Sequence, residues 1–447
     1  MDGSEGPYNA GMTEHDTPDD SSFRRAGPRQ LAAAMQDARH YTLALFDAFD
    51  AAGYGVPAQV PRLSIINPPL WELGHTAWFG EWFVLRDATG SHPGEAHGHS
   101  LLARGDDWFD SNTVAHRTRW TLDLPAPGAL KTYCREVQDR ILDRLAREAD
   151  DDAALYPYRL ALAHEDMHGE ANLYTLQTLG VAPPGLDGHV SGGSGVTGAG
   201  GIAGVGGVVA TSGEIAFAGG SFVRGGDQSR GFVFDNERRA AACRVAPFSI
   251  DAGLVSNGAY LAFMRDGGYQ RPEYWSEAGR AWLMAQERSA PRYWRRGDDG
   301  GGAGSGGSAG NGGGAGNDGW HVVRFGRRIA LDLEEPVRHV TLHEAQAWCS
   351  WAGRRLPQET EWEFAAVQGH PDFRWGQLWE WTASGFLPYE GFAADRYREY
   401  SAPWFGTRQV LRGASFATPA RFRSARFRNF FTPERDDIFS GFRTCAL

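Results

Sequence analysis

Cysteine is scarce in this 447-residue chain: four residues, Cys134, Cys243, Cys349 and Cys445, too scattered for a CxxC metal pattern or a disulfide framework. A reducing cytoplasm is therefore the expected compartment. No apolar run reaches the roughly 20 residues that cross a bilayer, so no membrane partner is expected. Lys/Arg-rich runs are missing too, and the net charge is −11, which argues against nucleic acid as a partner. The opening stretch MDGSEGPYNAGMTEHDTPDDSS is acidic and polar and lacks the charged-then-apolar pattern of a signal peptide. What remains, 42% hydrophobic and 22% charged, describes a soluble globular protein of two or three domains.

The most informative stretch is LALAHEDMHGEANLYTLQTL, residues 160–179. A helix turns about 100° per residue, so His164 and His168 lie on one face, one turn apart, and can grip one divalent metal. Glu170 falls on nearly the opposite side and is a poor third ligand. Two ordinary surface or core histidines would give the same spacing, so a third ligand from elsewhere is needed. Upstream, Pro68 and Pro69 can start a helix in which Trp71, His75, Trp78 and Trp82 form an aromatic stripe. That stripe must face the interior, and a buried imidazole needs a partner. A hydrogen-bonded core histidine is one reading of His75; a metal shared with His164 and His168 is the other. Three neutral histidines suit zinc and iron alike.

Residues 1–23 read as a disordered tail. A helix from Pro28 presents Leu31, Met35, Ala38, Leu45 and Phe49 on one face, and another at about 129–148 presents Leu130, Tyr133, Val137, Ile141 and Leu145. With the two histidine helices these make a four-helix bundle over 24–182. Between them, residues 101–125 read as an irregular connection holding His116, Arg117 and Arg119. A Gly-rich linker follows at 183–213, and a second flexible Gly-rich insert, 297–318, interrupts the rest. From 214 to 447 short strands, Gly turns and isolated aromatics indicate an α+β domain. Its arginines (Arg412, Arg421, Arg423, Arg426, Arg428, Arg443) read as structural, stacked on rings or paired with carboxylates.

Several motifs resemble known families. Arg355-Leu356-Pro357 with Glu361-Trp362-Glu363, Leu378-Trp379-Glu380-Trp381-Thr382, Leu411-Arg412-Gly413-Ala414-Ser415, Arg428-Asn429-Phe430-Phe431 and Gly441-Phe442-Arg443 resemble the formylglycine-generating-enzyme domain, a C-type-lectin-like fold. LGHTAWFGEWF and HEDMHGE resemble the metal motifs of DinB-like bundles. The fusion of a DinB-like four-helix bundle to such an α+β domain resembles the non-haem iron sulfoxide synthases of ergothioneine-type pathways. That resemblance implies Fe(II) held by His75, His164 and His168, O2 as co-substrate, and hercynine, the Nα-trimethylated histidine betaine, as acceptor.

At the donor-contact positions of that family, His116 stands where one arginine would be, Arg119 matches a second, and Met167 replaces a glutamine. With the tail PERDDIFSGFRTC and with NPPLWELGH, this resembles the selenoneine-forming branch, implying a selenosugar donor. The alternative is a sulfoxide synthase using γ-glutamylcysteine or cysteine. On this resemblance Tyr400, with Tyr397 behind it, is the candidate for supplying a proton or hydrogen atom near the metal. Asp436 and Asp437 are candidates for recognising the trimethylammonium or the imidazole, with Trp379, Trp381 and Phe431 adding cation–π contacts. Two other classes stay open: a non-enzymatic lectin-like scaffold, and a zinc hydrolase.

Overall fold

The computed structural model describes residues 22–92, 94–185, 213–297 and 317–447. The tail, linker and insert expected at 1–23, 183–213 and 297–318 lie almost wholly outside the described residues. At the tail's edge, however, Phe23 is buried, its ring stacked on Phe422 of the second half at 5.5 Å.

The first half is helical. Helix α1 (Pro28–Ala51) buries the expected Leu31, Met35, Ala38, Leu45 and Phe49. Helix α2 starts at Pro69, runs to Gly80 and has every residue buried, which is why its apolar stripe has no polar counter-face. It continues into a π-helical turn, Glu81–Leu85. Here the buried Glu81 carboxylate receives Tyr133 Oη, Ser100 Oγ and the Leu101 amide, fixing the turn to neighbouring segments. The connection after it is irregular apart from the short α3 (Gly105–Phe109) and a 3-10 turn at His116–Thr118. Helix α4 (Pro127–Leu145) and helix α5 (Asp152–Leu179) complete the bundle. Asp151 caps α5 by accepting from the Ala153 and Ala154 amides at 3.0 Å, and Gly180, at φ 70°, ends it in the left-handed conformation.

The second half carries small sheets. Strand β1 (Glu214–Phe217) pairs with β4 (Phe248–Asp251), and β2 (Gly220–Arg224) with β3 (Ala241–Val245), both antiparallel. Helices α6 (Asn257–Arg265) and α7 (Glu277–Gln286) precede a three-stranded sheet of β5 (Trp294–Arg296), β6 (Trp320–Arg324) and β7 (Arg327–Ala330). Arg296 pairs with Trp320, so the chain enters and leaves the Gly-rich 297–318 stretch at one hairpin end. Helices α8 (Leu342–Ala352) and α9 (Glu359–Gln368) flank the break at Pro357. Strands β8 (Trp379–Gly385), β9 (Gln409–Gly413), β10 (Asn429–Phe431) and β11 (Ser440–Gly441) form the last sheet in the order β10-β9-β8-β11, with β11 parallel to β8.

Three of the arginines singled out in this half are built into its core as ion pairs. Arg412, Arg428 and Arg443 are fully buried, paired with Glu359 and Glu363, Glu359, and Glu380 respectively. Removing one partner of such a pair would strand a buried charge.

Candidate metal centre

On α2, Glu72, His75 and Phe79 recur at i, i+3 and i+7, and so share the face that meets α5. Opposite them stand His164 and His168. His75, His164 and His168 each offer one ligand atom, and these atoms lie within 4.8 Å of one another. Hydrogen bonds fix two of the three rings. His75 Nδ1 meets the Phe109 carbonyl at 2.8 Å, and His168 Nδ1 meets Glu72 Oε2 at 2.5 Å. A carbonyl and a carboxylate can only accept, so both Nδ1 atoms carry the proton and both Nε2 lone pairs are left over. His164 is buried with neither ring nitrogen hydrogen-bonded among the described residues, its ring stacked on Phe79 at 3.6 Å and 3°. An orphaned imidazole between two others with unused lone pairs fits a divalent metal held by three neutral histidines.

The electrostatics agree. Burial first, and then the neighbouring His168, push His75 down to about 3. Burial, His168 and His75 hold His164 well below the usual histidine range. Both therefore stay in the neutral, ligating form at physiological pH. Burial alone would raise the Glu72 carboxyl, but His168, His75 and the Asn67 amide outweigh it and hold it at about 2.

Helix α5 is clamped around these ligands. Glu165 takes a two-pronged bond from Arg39 of α1, and Asp166 takes one from Arg421 of the second half. Glu170, expected to face away from the metal, accepts from Trp379 Nε1, Ser415 Oγ, Thr418 Oγ1 and Tyr174 Oη at 2.6–2.8 Å. Two residues beyond His168, it ties the helix to the second half.

Around the triad the structure gathers some of the expected residues. The Tyr397 ring meets His164 at 6.1 Å and Phe79 at 5.0 Å, whereas Tyr400 donates to Met167 Sδ at 3.8 Å and stacks on Phe234 at 4.6 Å. Tyr397 rather than Tyr400 is thus the ring that faces His164. Arg119 lies 3.7 Å over Trp71, which stacks on His75 at 4.7 Å. Its Nη1 donates to Asn67 Oδ1 at 2.8 Å, and the Asn67 amide donates in turn to Glu72. His116 points elsewhere, its Nε2 on the Ile66 carbonyl at 2.8 Å and its ring against Trp120.

Other expected contacts have different partners. Trp379 is buried with its N–H on Glu170, and Trp381, 0% exposed, donates to the Val340 carbonyl. A fully buried indole has no face left for a cation. Asp436 is already neutralised by Arg288 and Arg292, both at 2.7 Å, and Asp437 by Arg435, which also lies 5.0 Å over Phe431. Carboxylates matched to guanidinium groups attract a trimethylammonium weakly. A separate cavity of about 20 Å³, bordered by Gln177, Arg338, His339 and Phe439, has room for roughly one water. Gln177 lies nine residues beyond His168, roughly 13 Å along the helix.

Sequence reasoning passed over Glu72, Asn67, Phe79 and the Phe109 carbonyl. Glu72 had a signal, since it precedes His75 by one turn. A backbone carbonyl from another segment has none.

Residues 34–171 match the model of the DinB superfamily, and residues 207–377 and 374–446 match that of the sulfatase-modifying factor enzyme 1-like domain. The hercynine oxygenase of Mycolicibacterium thermoresistibile is 30% identical over 93% of this chain and 94% of its own length. That of Mycobacterium tuberculosis is 31% identical over 93% and 98%. The chain belongs to the hercynine oxygenase family. The formylglycine-generating enzyme of Streptomyces coelicolor is 26% identical over 48% of this chain and 83% of its own. Near end-to-end similarity thus sets the hercynine oxygenases apart from relatives that match about half of the chain. The triad draws His75 from α2 and His164 and His168 from α5, within the stretch that matches the DinB superfamily.

Proposed function

We propose that the chain is an iron(II)- and O2-dependent enzyme that joins a thiol donor to imidazole C2 of hercynine, giving a sulfoxide. The carrying observation is the His75, His164 and His168 triad, whose ligand atoms lie within 4.8 Å of one another. Three neutral imidazoles would also hold zinc; iron and oxygen are supported by relatives named hercynine oxygenase across nearly the whole length.

Bound iron would activate O2, the oxidant that joining sulfur to an unreactive ring carbon needs. In the balance, hercynine C2–H, the thiol S–H and O2 give the C–S(=O) adduct and one water. Phe109 and Glu72 hold His75 and His168 in the ligating tautomer. Phe79, flat against His164, keeps water from that ring. Arg119 offers a guanidinium beside the triad for a donor carboxylate. Tyr397, whose ring lies 6.1 Å from that of His164, is the candidate for delivering a proton there. Burial, with Glu399 and Asp110 nearby, raises its hydroxyl, so it stays protonated and able to donate.

A second reading, with a selenosugar as donor, is favoured by position 116, where a histidine turned onto the Ile66 carbonyl offers no guanidinium for a second carboxylate. The experiment is anaerobic Fe(II) loading followed by air, with hercynine and either cysteine, γ-glutamylcysteine or a selenosugar, read by mass spectrometry. A C2 sulfoxide with a thiol is expected. A selenium adduct with the selenosugar alone would transfer the assignment to the second reading, and no adduct with any donor would overturn both. His164→Ala should abolish iron binding and turnover together.

A further inference from the structure

Arg119 holds a positive charge next to a site that is itself read as binding a cation. Its Nη1 bonds Asn67, its Nη2 reaches the Val114 carbonyl at 3.3 Å, and its Nε is buried without a partner among the described residues. None of these bonds goes to a carboxylate. The charge lies close to the triad: the guanidinium sits 3.7 Å over the Trp71 ring, which stacks on His75 at 4.7 Å. A bound metal dication at the triad meets the field of that charge.

A hydrogen-bond chain also joins the two. A guanidinium only donates and a carboxylate only accepts, so Asn67 has one possible orientation, Oδ1 toward Arg119 and Nδ2 toward Glu72 Oε1. Glu72 Oε2 in turn accepts from His168 Nδ1. Asn67 is followed by Pro68 and Pro69, which restrict its backbone at the start of α2. The path Arg119–Asn67–Glu72–His168 therefore runs from a cation with unused donors to a metal ligand. While Arg119 is unpaired, it draws on Asn67, and through it on Glu72. An anion seated on Arg119 would cancel its field and leave Glu72 the stronger acceptor, making His168 the better ligand.

We propose that Arg119 and the positioning residue Asn67 couple anion and metal: a carboxylate bound at Arg119 tightens metal binding at His75, His164 and His168. By linkage the metal tightens the carboxylate by the same factor. The inference rests on the reading of the triad as a metal site. Its consequence is a preference, in which a carboxylate-bearing donor binds the metal-loaded protein about fivefold more tightly than the metal-free one.

The test uses the full chain, anaerobic Fe(II), a competing chromophoric chelator and acetate as a thiol-free carboxylate, at matched ionic strength. In the wild type, acetate should tighten iron binding by about fivefold, the low end of ordinary coupling. Arg119→Met keeps an apolar contact on Trp71 but removes the charge. It should bind iron more tightly than the wild type without acetate and show no acetate effect. Asn67→Ala keeps the charge but breaks the chain, and its acetate effect should be smaller than in the wild type. An acetate effect that survives in Arg119→Met would mean that acetate ligates the metal directly and would overturn the coupling, as would weaker iron binding in that variant with its helix content unchanged. Iron binding with no acetate effect in the wild type would refute the coupling alone. No iron binding would refute the metal site as well.

Discussion

Replacing Glu72 by Gln tests whether the partners of the triad set its chemistry. Glu72 is 5% exposed and accepts from two donors, His168 Nδ1 at 2.5 Å and the Asn67 amide. A glutamine keeps one acceptor oxygen, so its NH2 must face one of them. Asn67 cannot turn over, because Arg119 would then meet an amide with nothing to accept. With the NH2 toward Asn67, two donors collide, and an unpaired buried donor costs about 1–3 kcal/mol. With the NH2 toward His168, the imidazole must accept at Nδ1, and its proton moves to the nitrogen that the metal needs. Loss of such a carboxylate partner weakens metal binding by about 10–100-fold, or about 1.4–2.7 kcal/mol. That loss is the expected outcome for Glu72→Gln, measured by anaerobic chelator competition, with helical circular dichroism retained. A folded variant with wild-type iron affinity would refute the reasoning.

Tyr397→Phe should lower turnover by about 10²-fold or more with iron affinity unchanged, and Tyr400→Phe should cost less; steady-state rates on both variants decide the order. Gly74→Ala places a methyl 2.2 Å from the Phe109 ring, whose backbone orients His75, so its melting temperature and its iron affinity should both fall. Glu344, deep in the second half, is raised from 4.5 to about 7 by burial, which outweighs the bonds from Thr341 and Tyr269. Between those values the folded chain holds a proton that the unfolded chain has lost, so this group's contribution to stability falls as pH rises. Glu344→Gln removes that proton, and melts across the window should show its stability relative to wild type growing with pH; a constant difference would refute the assignment.

Much of the helical half was legible because burial there follows the helical period. Leu31, Met35, Ala38, Leu45 and Phe49 mark α1, and His164 and His168 at i, i+4 mark the metal face of α5. The rest of the centre is built by contacts with no local signature. Phe109 reaches His75 from 34 residues away, and Glu72 reaches His168 from 96. The tyrosines lie in a non-periodic segment with a 3-10 turn, where spacing does not fix which ring faces His164. Trp379, Trp381, Asp436 and Asp437 are residue types suited both to ligands and to buried cross-links. The indole donors on Glu170 and Val340, and the guanidinium partners of the two aspartates, are tertiary facts.

The central claim is that the triad holds an iron on which hercynine is processed. Its most direct test is electron paramagnetic resonance of the anaerobic Fe(II) protein with nitric oxide, before and after hercynine. The account expects a high-spin iron–nitrosyl signal equivalent to one iron per chain, altered by hercynine and lost in His164→Ala. A signal that ignores hercynine, or that persists in His164→Ala, would contradict it.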